Sequence, residues 1–126
     1  MPVQFSIDDV IKKNKTAIDA CNESITRLKS LGEAGLFPDD ESDRLIQLSR
    51  ATNSRTNLED VNADLRAAKK VVTPMPETMA TELNNLGNRL DQQIKNDLIA
   101  NATIDFITSV LTDVGRLRDI TDAHTS

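Results

Sequence analysis

The stretch 97-DLIANATIDFITSVLTDVGRL-117 decides how this chain folds. It crowds apolar side chains together and interrupts them with two interior acids, Asp105 and Asp113. Stepped at the helical angle, Ile99, Ala102, Phe106, Ile107, Val110, Val114 and Leu117 fall on one side, with Ile104 and Leu111 at its edge. Asn101, Asp105, Thr108, Thr112 and Arg116 take the other side. The apolar arc spans about 200°, wider than the stripe of an ordinary surface helix. A strand also has support, from Ile104, Phe106, Thr108, Val110, Thr112 and Val114 at alternate positions, but Ile107 and Leu111 break that alternation. The reading is therefore a helix buried on more than one side, either at the centre of its own bundle or at a seam between copies.

A membrane span does not fit, because about 20 predominantly apolar residues are needed and here a polar face recurs at every turn. Membrane association is unexpected for a second reason. Helices lying on anionic lipid carry Lys and Arg, and this one carries mainly Asp.

Working outward, the 126 residues fit one domain, 1–126. There is no Trp or Tyr, and there are only three Phe, four Gly and four Pro, which argues against a sandwich or barrel and for an all-α chain. The formal charge of -5 opposes nucleic-acid binding, because phosphate contacts need clustered Lys and Arg. The one tight basic group, Lys12, Lys13 and Lys15, is flanked by Asp8, Asp9 and Asp19. A lone Cys21 and an N-terminal stretch broken by acids suggest a reducing, cytoplasmic setting, in which the sequons at Asn22 and Asn101 are accidental.

The first helix begins at the Ser6–Asp9 capping pair. Ile7, Ile11, Asn14, Ile18, Cys21, Ile25 and Leu28 then keep a heptad seam up to a left-handed cap at Gly32. Asn14 interrupts that seam and is read as a polar residue fixing register or oligomer state. The second helix runs from about 41 to 72, with Leu45, Leu48, Ala51, Leu58, Val61, Leu65 and Val72 on one stripe. Its polar insert at 52–57 offers a restart at the Thr56–Glu59 capping box, yet the seven-residue phase continues through it, which favours a continuous helix. Thr73 caps a third helix from 76, and so short a connection makes helices two and three antiparallel neighbours. A single helix over 76–121 would be about 70 Å long. A reversal near 96–101, giving a four-helix bundle, is preferred to a three-helix one. The expected architecture is thus an antiparallel bundle of three to four helices.

Chemistry is hard to find. His124 lies in a tail expected to fray, and Cys21 sits on an apolar seam where thiols are inert. Asp39, Glu41 and Asp43 alternate like calcium ligands, but Arg44 and Arg50 stand where an EF-hand needs Gly and Glu. No Glu-x-x-His pair, phosphate loop or nucleophile elbow is present. The expectation is a non-enzymatic interaction or scaffold protein without cofactor or metal. It self-associates through an apolar face comprising Ile104, Ile107, Leu111 and Arg118, and a helical protein is a further partner. The alternative is a carrier of a small apolar ligand held between helices near Met79, Phe106 and Val110.

Overall fold

The computed structural model describes residues 1–98 and 103–126. Among the described residues four helices pack into a bundle: α1 (Ile7–Ala34), α2 (Pro38–Arg66), α3 (Glu77–Gln92) and α4 (Ile104–Ala123). No helix among the described residues is long and apolar enough to cross a membrane. α3 is extended by a π-helical turn, Gln93–Asp97. The alternatives for 76–121 are thereby decided, since α3 and α4 are separate helices packed on each other. The expected reversal near 96–101 falls partly outside the described residues, as do Ile99, Asn101 and Ala102 of the apolar arc. Thr103 starts α4 by accepting the Phe106 N–H at its hydroxyl, 3.2 Å away.

Side-chain pairs give the helix directions. Asn14 meets Asn62 and Asn22 meets Arg55, so α1 and α2 are antiparallel. Glu82 meets Arg116 and Arg89 meets Asp113, so α3 and α4 are antiparallel too. Arg50 reaches Thr112 and Ser54 meets Arg118, which makes α2 and α4 parallel neighbours. α1 touches all three other helices, and so does α4. α2 and α3 have no substantial mutual contact, which corrects the expectation that they are neighbours. The cause is a crossover longer than expected. α2 ends at Arg66, Ala67 closes it and Ala68 turns with φ 57°, so Val72 does not continue the helix. Residues 67–76 instead run between the termini. Val71 exchanges backbone hydrogen bonds with Ser126 (2.8 and 3.0 Å), Thr73 N–H donates to the His124 carbonyl (2.7 Å), and Met75 exchanges bonds with Val3 (2.7 and 2.9 Å). Thr73 is therefore a pairing residue and no cap, α3 starts at Glu77, and the C-terminal tail is tied down where fraying was expected.

Ser6 caps α1 as the sequence suggests, accepting from the Asp9 N–H at 3.1 Å. The other end differs from expectation. α1 continues past Gly32 to Ala34, and Gly35 takes the positive φ of 84°. At Gly32 the Arg44 guanidinium passes over the helix to donate to the Leu28 carbonyl, and a Cβ there, 2.6 Å from it, would make that side chain shift. α2 runs unbroken through 52–57. Thr56 returns its hydroxyl to the Thr52 carbonyl, while Ala51, Ser54 and Leu58 stay buried. The inward phase outlasts a locally polar composition because one buried residue per turn is enough to hold a helix against a core.

The core joins all four helices and includes Cys21, Leu28, Leu58, Leu83, Leu90, Ile107, Leu111 and Leu117. Each such side chain contributes roughly 1.5–3 kcal/mol on burial. Val10, Val61 and Leu65 form a smaller cluster with Phe5, Ile11 and Val72 against it. Because α1 meets three helices, its buried face is broader than a heptad seam. Val10, Ala17, Ala20 and Ser24 are buried on it, while Ile7 is left at the exposed edge.

Candidate interaction surface

The residues expected to form a seam between copies do not lie on one free surface. Ile107 and Leu111, at 0% and 1% exposure, are spent on the chain's own core. Ile104 and Arg118 are half-buried, with Arg118 donating to the Ser54 hydroxyl at 3.4 Å. The wide arc of α4 has an internal explanation: α1, α2 and α3 all pack on it. Asp113, one of the two interior acids, is held by α3, taking two hydrogen bonds from Arg89 (2.8 and 2.9 Å).

Asn14 is fully buried where α1 meets α2. Its Nδ2 donates to Asn62 Oδ1 at 3.0 Å, and Asn62 Nδ2 donates to the Ile11 carbonyl at 3.3 Å. The amide pair lies between neighbours that belong to the two clusters, Ile18 and Leu58 on one side and Val10 and Leu65 on the other. Asn62 was missed in the sequence, although its place four residues after Leu58 puts it on the inward stripe.

Val110 is fully buried and Met79 packs against the core, its Sδ 3.4 Å from His124 Nε2. Phe106 packs there as well. These three residues fill space between helices. The Cys21 thiol is buried, and burial pushes its pKa up to about 12 despite the opposing fields of Arg55 and Arg118, so at neutral pH it is protonated and inert.

Of the large apolar residues that the bundle leaves exposed, which also include Met1, Ile7 and Val71, three lie at or near the start of α2. Phe37 is 82% exposed, Ile46 61% and Leu45 50%. Leu45 belonged to the expected inward stripe and faces water instead, while Leu48 packs against the core. Two adjacent apolar residues on a helix stand about 100° apart. The pair Leu45–Ile46 was thus a sign that α2 has apolar character off its inward stripe. Phe37 is placed by its neighbours: Gly35 turns the chain and Pro38, fixed in φ, opens α2. A groove of ≈ 560 Å³ runs here, lined by Ala34, Gly35, Leu36, Phe37 and Asp40. Residues 33–46 carry five acids, Glu33, Asp39, Asp40, Glu41 and Asp43, against one cation, Arg44. That cation is already used, since Arg44 hydrogen-bonds both Glu41 oxygens and holds its carboxyl below the usual range. The start of α2 thus carries three exposed apolar residues in a negative field, Phe37 at the turn and Leu45 and Ile46 about two turns further on.

No family model, curated protein or solved structure matches this chain.

Proposed function

We propose that the chain is a non-enzymatic helical interaction protein, and that the apolar edge at the start of α2 receives a partner helix bearing apolar and basic residues. The observation that carries this reading is the joint exposure of Phe37, Leu45 and Ile46 within a stretch whose acids outnumber its cations five to one. Scattered apolar residues are ordinary on a protein surface, whereas an apolar edge rimmed by like charge selects what docks there. Two copies of this edge would bring Asp39, Asp40 and Asp43 against their own counterparts, so a cationic partner is favoured over a second copy.

The test uses a synthetic amphipathic helix of Leu and Lys, with a Leu and Glu helix of the same pattern as control. Saturable binding of the Lys peptide, weakened by salt and lost in the Phe37→Ser, Ile46→Asp double variant, is the expected result. Equal binding of the Glu peptide would overturn it. Sedimentation of the protein alone supplies the other outcome. A dimer that tightens as salt screens the acids would make a second copy the occupant and displace this reading.

A further inference from the structure

One turn beyond Ile46 along α2 the charge balance reverses. A cleft of ≈ 510 Å³ opens between the parallel helices α2 and α4, lined among others by Arg50, Ser54, Thr112, Gly115, Arg116 and Arg118, with one acid, Asp119, at its wall. Three arginines converge here in a chain with 20 acids and 15 basic residues. Among the described residues only one of them is engaged as a forked ion pair: Arg116 is held on both oxygens of Glu82. Arg50 is satisfied by neutral acceptors, the Gln47 amide oxygen at 3.4 Å and the Thr112 hydroxyl at 3.2 Å. Arg118 contacts the Ser54 hydroxyl at 3.4 Å and reaches a carboxylate only at 3.8 Å, on exposed Asp119. A guanidinium has five N–H donors, so both retain donors for a ligand.

The rest of the cleft is arranged around those two side chains. Thr112 gives its proton to the Thr108 carbonyl at 3.0 Å, which leaves its oxygen fixed as the acceptor that orients Arg50. Ser54 is buried, accepts from Arg118, and has a proton of its own to donate. Gly115 is inside α4, where glycine is a poorer helix former than alanine. Nothing in the packing demands it, for a Cβ there would meet only Arg50 Nη2, at an ordinary 3.9 Å. The missing side chain leaves open floor beside the Arg50 guanidinium.

We propose that this cleft binds a phosphate-type oxyanion, free or as a phosphate monoester, clamped by Arg50 and Arg118 with the Ser54 hydroxyl as a further donor. Planar guanidinium forks match tetrahedral oxyanions in two-point contacts, and two of them favour a doubly charged group. The inference is independent of the apolar edge, which lies on other residues.

The experiment is an NMR titration of the intact chain with inorganic phosphate and, separately, phosphoserine, against sodium chloride at matched ionic strength. Saturable shifts of the Ser54 and Gly115 amides and the Arg50 Nε–H, absent with chloride, are expected. Tighter binding of phosphoserine identifies a monoester as the source, and equal or tighter binding of phosphate identifies the free anion. Arg50→Gln and Arg118→Gln each weaken binding about tenfold or more, given the strength of charged hydrogen bonds. Glu82→Gln frees Arg116 and tightens it. Gly115→Leu removes binding by filling the floor. Circular dichroism of each variant separates loss of binding from loss of fold. The proposal is overturned if chloride reproduces the shifts, or if folded Arg50→Gln and Arg118→Gln bind phosphate as the parent does.

Discussion

The apolar arc of α4 and the apolar start of α2 look alike as composition and end in opposite places. On α4, Ile107, Val110, Leu111, Val114 and Leu117 all lie inside the bundle. On α2, Leu45 and Ile46 face water, and so does Phe37 at its cap, while the inward stripe from Ala51 to Leu65 carries the packing. The difference lies in the neighbours. α4 is surrounded by three helices, and α2 has only α1 and α4 beside it. Apolar density alone therefore does not mark a surface for partners; what counts is the apolar residue for which the fold has no neighbour.

The sharpest way to break this comparison is to shorten one side chain in each region. Leu111→Ala is expected to destabilise the bundle by about 2–5 kcal/mol, the range for emptying a packed core position. Ile46→Ala should stay within about 0.5 kcal/mol, as for surface substitutions generally. Chemical denaturation of the two variants side by side checks both; similar losses would mean that Ile46 is covered by structure.

The next effect concerns the buried amides. Asn14→Ala leaves the Asn62 carboxamide oxygen without its donor inside the protein and should cost about 1–3 kcal/mol. Replacing Asn14 and Asn62 together by Leu removes both polar groups, so the double variant should be more stable than the sum of the single losses, as a double-mutant cycle would show. An additive cycle would mean that the pair is not coupled. If the amides specify register, the double variant also loses sharp cooperativity in thermal unfolding.

Removing the Thr103 hydroxyl tests whether α4 depends on its cap as well as its neighbours. Thr103→Ala is expected to cost about 1 kcal/mol, seen as a lowered melting temperature.

The smallest effect is electrostatic and pH-dependent. Hydrogen bonding to Arg116 holds the Glu82 carboxyl below its usual range, and Arg44 does the same for Glu41. A carboxyl with a depressed folded-state pKa contributes stability above its unfolded value and loses it as pH falls through the folded one. Glu82→Gln and Glu41→Gln should therefore lower the melting temperature slightly at neutral pH, and the difference from the parent should vanish in acid. A deficit that persists below the carboxylate range would point to packing and away from charge. Both carboxylates are solvent-accessible, although Arg44 itself is largely covered, so each effect is small.

The sequence by itself determined the helical class and the Ser6 cap and favoured the unbroken α2, because those follow from local spacing. It also made the second helix too long. Ala67 and Ala68 carry no stop signal, and α2 ends where Val71 and Thr73 find backbone partners near the C-terminus. Gly32 was expected to cap α1, but the helix runs on past it beneath the Arg44 guanidinium and Gly35 takes the positive φ. Which apolar residues remain outside, and which arginines meet across the α2–α4 cleft, was decided by tertiary structure alone. Periodicity gives each helix its faces, whereas the number and order of neighbours, set here by a crossover tied to both chain ends, decides which faces are covered.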